Sequence, residues 1–145
     1  MSSGATVSVY VSVPLHGTEA ARGRAACTGA RQELARSRGR AGPVRVRMVC
    51  LDDTGGGRRW SLAAVGANAR RAVEDSAAIG YIGEIDPAAT RFSRPIVEAA
   101  GIVQVSNVPG GAAMAALLRA IRGSGDSGQL RQAVDDSLGA ARAGR

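Results

Sequence analysis

The 145-residue sequence has no lysine, one histidine, two cysteines and an aromatic content of only 3%. Each shortage closes a class of function. A P-loop of the form Gly-x-x-x-x-Gly-Lys-Ser/Thr needs its lysine to reach the phosphates, so that motif is excluded. With His16 the only histidine, neither a metal centre nor a Cys–His nucleophile is expected. Scarce aromatics leave the core to Ala, Val, Leu and Ile. No continuous apolar run reaches membrane-spanning length. The N-terminal MSSGATVSVYVSV has neither a cationic region nor a cleavage site, so no export signal is expected in the chain as written.

What is present in excess is arginine. All 19 basic residues are Arg, and the net charge is +7. They are scattered in the first third at Arg22, Arg24, Arg31, Arg36, Arg38, Arg40, Arg45 and Arg47, with no interleaved aromatics to stack on bases. That pattern reads as a solvated basic surface rather than a nucleic-acid interface. Cys27 and Cys50 fall in a predicted helix and at a predicted strand end. Their spacing fits no zinc or redox motif, and they read as buried small hydrophobes.

Hydrophobic period shows strands alternating with helices. VSVYVSV (7–13), VRVRMVCL (44–51), AAIGYIG (77–83) and IVQVS (102–106) have strand length and composition. Between them lie Ala- and Arg-rich helical stretches at 18–38 and 60–76, the second with Leu62, Val65, Ala69 and Val73 on one stripe. A third helix starts at Asp86-Pro87, a cap followed by proline in the first turn, bends at Pro95 and stops at Gly101. Such alternation predicts an α/β fold with right-handed crossovers. The expectation is one domain over 1–145: a Rossmann-like lobe at 7–109 with a parallel sheet of about four strands, order 2-1-3-4, and helices on both faces. Residues 110–145 then read as two helices without a strand between them. Met114, Leu117, Leu118 and Ile121 form the stripe of the first, and Leu130, Val134 and Leu138 that of the second.

In an open parallel sheet, ligands sit beyond the carboxyl ends of the strands. Here those ends are PLHG (14–17), LDDTGGG (51–57), GEIDPAAT (83–90) and SNVPGG (106–111). LDDTGGG reads as an Asx turn with a glycine loop, since Asp52 and Asp53 point to opposite faces of a strand. Ser12, Ser93 and Ser106 lack a histidine partner other than His16, and Glu84 with Asp86 is a weak acid–base pair, so no enzyme is expected. The start of the helix after Pro87 can receive a ligand carboxylate at its positive pole, unless Asp86 caps that end itself.

The ordered series of short motifs carries a resemblance. PLHG ends the first strand, and Gly23, Gly29-Ala30 and Leu34-Ala35 run through the first helix. Asp52-Asp53, ANARRAVED (67–75), YIGE (81–84) and AGIVQVS (100–106) follow in order. The series resembles type I periplasmic solute-binding proteins of the branched-chain amino acid and amide group, over about residues 7–106. AMAALLRAIRGSGDSGQLRQAVDDSL (113–138) is similar to a later segment of that family that packs back on the first lobe, which puts a join near Pro109-Gly110-Gly111. The resemblance implies a lobe of an ABC uptake system recognising an amino acid or small amide, extracytoplasmic, with an ABC permease as partner and no cofactor, metal or catalytic residue. It places the ligand-binding candidates at His16, Glu84, Asp86, Ala88, Ala89, Thr90, Ser106 and Asn107. In the family, a serine in the loop after the third strand often meets the ligand carboxylate. Here Pro87 or Ala88 stands there, and the loop after the fourth strand keeps Ser106 but loses a threonine. A single lobe with these losses implies weak binding or none, and an open sheet edge beside IVQVS invites self-association. The alternative is a non-binding interaction module of the same fold.

Overall fold

The alternation in VSVYVSV decides how the sheet is buried. In the computed structural model, which describes residues 5–124, this segment is β1 (Thr6–Val13), and every residue after Thr6 is buried. Val7, Val9, Val11 and Val13 join one apolar cluster, while Tyr10 joins another. A strand covered on both faces must be central, and β1 is. It pairs in parallel with β3 (Val44–Asp52), Val9 opposite Met48, and with β4 (Ala78–Gly83), Tyr10 opposite Tyr81. β5 (Val103–Val105) adds to β4, also in parallel.

The four parallel strands thus stand in the anticipated order. A fifth was not anticipated: β2 (Arg40–Ala41) lies antiparallel on the outer edge of β3, giving β2-β3-β1-β4-β5. The turns around it use Gly39 and Gly42, both at positive φ, which glycine adopts without strain.

Two helical layers cover the sheet. α1 (Ala20–Arg36) and α4 (Gly110–Ser124) pack together over the valine face of β1. Their approach is close enough that a Cβ on Gly110 would collide with the carbonyl of Ala26. α2 (Leu62–Glu74) and α3 (Pro87–Ala99) pack together on the opposite face. The stripe Met114, Leu117, Leu118 and Ile121 is buried as expected. In α2 the expected stripe fails at its start: Val65 and Ala69 are buried, but Leu62 is 56% exposed. It is the first residue after the Ser61 cap. α3 keeps Pro95 inside and ends at Gly101 (φ 78°), with Ile102 N–H donating to Val97 and Gly101 N–H to Glu98, a Schellman close. The second C-terminal helix, with Leu130, Val134 and Leu138, lies outside the described residues.

The cysteines require a correction. Cys27 and Cys50 are not two independent hydrophobes; they form a disulfide, Cα atoms 6.4 Å apart, that ties α1 to β3. The chain separation of 23 residues carries no sign of this. The crossover from β1 through α1 to β3 lays the helix over the strand and brings the two together.

Candidate functional site

The helical layers open two cavities at the carboxyl ends of the strands. β1 and β5 lead into α1 and α4 on one face, whereas β3 and β4 lead into α2 and α3 on the other. β4 stands between β1 and β5 yet sends its helix the opposite way. The starts of α1 and α4 therefore flank a gap above β4, a cavity of about 430 Å³ lined by Arg22, Gly83, Glu84, Ser106, Asn107 and Pro109 among others. The same logic applied to β1 leaves a second cavity of about 290 Å³ on the other side. It is bounded by Pro14, Asp53, Trp60, Ile85 and Pro87. Arg22 and Ile85 border both.

Glu84, Ser106 and Asn107 line the larger cavity, and Asp86 lines the smaller. Asn107 holds a left-handed conformation (φ 64°), and Ser106 Oγ accepts from Arg94 at 3.2 Å. His16 is exposed, its Nδ1 3.1 Å from Asp52 Oδ2. Ala88 is half-buried and Ala89 fully buried within the first turn of α3. Thr90 is also buried; its hydroxyl accepts from Glu84 N–H at 2.9 Å and donates to Glu84 C=O at 3.2 Å, closing the GEIDPAAT loop.

Asp86 settles the alternative left open at the start of α3. Its Oδ1 accepts from Ala88 N–H at 2.9 Å and its Oδ2 from Trp60 Nε1–H at 3.1 Å. The helix thus carries its own anion at the N-terminus. The acid–base pairing of Glu84 with Asp86 also gives way, because each carboxylate has a separate set of donors.

Glu84 is only 2% exposed, and three hydroxyls converge on it. Ser12 and Tyr81 donate to Oε2 at 2.7 and 2.8 Å, and Ser93 donates to Oε1 at 2.6 Å. Asn68 Nδ2 donates to Ser12 Oγ, and Gln104 Nε2 to Ser93 Oγ and Gly83 C=O. Burial pushes the carboxyl above its ordinary range, and the hydroxyls offset part of that. Burial and the Glu84 charge likewise raise the Tyr81 phenol far above its usual value.

The LDDTGGG loop is an Asx turn, as expected. Asp52 accepts from the N–H groups of Leu15, Thr54 and Gly56 and from the Thr54 hydroxyl. Burial alone would raise its pKa, but these donors and His16 outweigh it and bring the carboxyl down to about 2. Asp53 beside it behaves oppositely. It is 1% exposed, and its Oδ1 has no hydrogen-bond partner among the described residues. Burial, then the charges of Glu84, Asp52 and Asp86, push it up to about 7.

Sequence reasoning weighed Ser12 and Ser93 only as nucleophiles and Asp53 only as part of a turn, and it missed Asn68, Tyr81 and Gln104 around Glu84 and Arg59 and Trp60 at the smaller cavity. One signal was readable: Ser8 and Ser12 alternate with valines in a strand buried on both sides, and buried hydroxyls need partners.

This architecture, a parallel sheet with cavities at its strand ends, has counterparts among solved structures. The leucine-binding protein LivK from Thermotoga maritima aligns at 23% identity and TM-score 0.59, over 69% of this chain and 27% of that one. A putative branched-chain amino acid ABC transporter from Rhodospirillum rubrum aligns at 24% and 0.61, over 70% and 28%. The fold is that of ABC-transporter solute-binding proteins. A solute-binding protein from R. palustris in complex with 4-hydroxybenzoate aligns at 19% and 0.61, over 70% of this chain and 26% of that one. The chain therefore spans about a quarter of the length of each of these proteins. Their names are those of a leucine-binding protein, an ABC transporter and a solute-binding protein. No protein-family model and no curated protein matches the chain. Among the described residues, no helix is long and apolar enough to cross a membrane.

Proposed function

We propose that this lobe binds a small solute, an amino acid or small amide, at the carboxyl ends of its strands and serves an ABC uptake system. The observation that carries the reading is the pair of cavities above β4 and β1, formed where neighbouring strands send their helices to opposite faces. Glu84, Asp86, Ser106 and Asn107 contribute polar groups to their walls, and His16, Ala88, Ala89 and Thr90 shape the loops around them. The likeness to leucine- and 4-hydroxybenzoate-binding folds supports a small carboxylate-bearing ligand. The Cys27–Cys50 disulfide favours an oxidising, extracytoplasmic setting, where such bonds persist.

Binding by this lobe alone is weak. Small-molecule sites bury most of the ligand, and cavities open along one side do not, so affinity is millimolar or poorer, about −4 kcal/mol. A permease is the natural partner, and the outer edge of β5 is where a second copy would add.

A thermal melt followed by scanning calorimetry, repeated with amino acids, amides and 4-hydroxybenzoate at about 100 mM, tests the reading. A ligand at 100 times its dissociation constant adds about 2.7 kcal/mol and raises the midpoint by several degrees. A cooperative melt that no solute moves favours the second reading, a non-binding interaction module. The observation behind that second reading is that Asp86 and Glu84 already have internal donors.

A further inference from the structure

Four carboxylates gather at the ends of β3 and β4, and three of them have their donors. Asp52 takes backbone N–H groups and Thr54, Glu84 takes three hydroxyls, and Asp86 takes Ala88 and Trp60. Among the described residues, Asp53 alone of the four has a buried oxygen without a partner. A carboxylate in that position is costly to keep unless a donor reaches it.

Asp53 lines the smaller cavity, and the rest of the wall says what sort of donor fits. No group of three His, Cys, Asp or Glu among the described residues suits a metal ion. Pro14, Trp60, Ile85 and Pro87 supply an apolar wall. Arg59 and Arg22 stand at the rim, and Arg22 is already paired with Glu19 at 3.0 Å. Arg59 is exposed and faces the same space. About 290 Å³ admits a ligand the size of a single amino acid but not a peptide chain.

We propose that this cavity is an ammonium site: Asp53 pairs with the amino group of a small aliphatic amine or amino acid, Trp60 and Ile85 cover its aliphatic part, and Arg59 meets the carboxylate when one is present. The inference rests on the solute-binding reading and assigns the amino group of that solute to a residue of this lobe. An unliganded Asp53 takes up a proton near neutral pH, as its burial and the facing Glu84, Asp52 and Asp86 charges require. A bound ammonium restores the carboxylate.

Trp60 is the only tryptophan in the chain, so its fluorescence reports on this cavity alone. The full 145-residue protein is titrated at pH 8 with L-leucine, with isopentylamine (leucine without its carboxylate) and with 4-methylpentanoate (leucine without its amine). Leucine and isopentylamine should move the emission saturably, 4-methylpentanoate should not, and Asp53→Asn should weaken both responses tenfold or more. Equal responses to 4-methylpentanoate, or an Asp53→Asn variant that responds like the parent, overturn the proposal. The amine-versus-acid comparison needs no variant, so it decides the matter even where Asp53→Asn fails to fold. A leucine-induced rise in the melting midpoint with silent Trp60 emission overturns the ammonium site and leaves solute binding standing. Isopentylamine moving Trp60 while no panel solute raises the midpoint keeps the site and removes the uptake reading. Silence of both measurements overturns both.

Discussion

The two faces of β1 are built by opposite rules. One face presents Val7, Val9, Val11 and Val13 to α1 and α4, and the contact there is apolar throughout, stapled by the Cys27–Cys50 disulfide. The other face presents Ser8, Tyr10 and Ser12 to α2 and α3, and each of these makes a side-chain hydrogen bond: Ser8 to Arg47, Tyr10 to Asp75, Ser12 to Glu84 and Asn68. The valine side gains by area removed from water and tolerates approximate geometry. The serine side gains little net energy per bond but loses heavily when any one partner is missing. Such a network fixes where the ends of β1, β3 and β4 stand, and those ends frame the cavities. Both faces bury an apolar cluster, but only the second also carries a buried hydrogen-bond network at the strand ends.

The largest expected effects test the apolar side. Leu117→Ala empties a fully buried position against Gly80 and should cost about 2–5 kcal/mol, read as a drop in melting midpoint. Leucine-induced shifts, scaled to the lower stability, should survive. A double Cys27→Ala, Cys50→Ala variant should lose about 3 kcal/mol for a loop of this length, with the same independence of ligand response. Titration of the denatured, unreduced protein with a thiol reagent should find no free thiol.

A smaller loss on the polar side should do more to binding. Ser12→Ala takes a donor from Glu84 and an acceptor from Asn68, both buried, at a cost of about 1–3 kcal/mol. If the network sets the strand ends, this variant weakens solute binding more than Leu117→Ala does, although it lowers the midpoint less. Equal ligand responses in the two variants would erase the functional contrast between the faces.

The architecture was legible because it rests on period. Alternating strands and helices announce βα crossovers, and Asp86-Pro87 and Gly101 mark helix ends by backbone chemistry that needs no tertiary context. β2 was not legible, since two residues, Arg40 and Ala41, form no pattern and pair only because the turns at Gly39 and Gly42 bring them onto β3. The disulfide was hidden because it depends on a helix lying across a strand. The Glu84 network was hidden for a like reason: Ser12, Asn68, Tyr81, Ser93 and Gln104 come from five elements and meet only after the sheet and α2–α3 layer assemble. Glu84 itself stood out as a strand-end acid. That it would be sealed beneath hydroxyls was beyond any spacing rule.

The smallest effect separates the two adjacent aspartates. Asp53 has a folded pKa raised to about 7, so between about pH 4 and 7 the folded state holds a proton that the unfolded chain has released. Stability from this group is therefore full at the low end of that window and declines as pH rises through it. Glu84, also raised, slopes in the same direction. Asp52, lowered to about 2, acts in the opposite sense, its contribution present above pH 4 and lost as pH falls toward 2. Asp53→Asn should leave the melting midpoint near pH 4 almost unchanged and raise it at pH 8 by an amount equivalent to about 1 kcal/mol, after allowance for water in the open cavity. Saturating isopentylamine should abolish that difference at pH 8, because an ammonium partnering Asp53 removes the penalty that the asparagine removes. If the parent and the variant keep parallel pH profiles from 4 to 8, Asp53 is not the strained member of the pair.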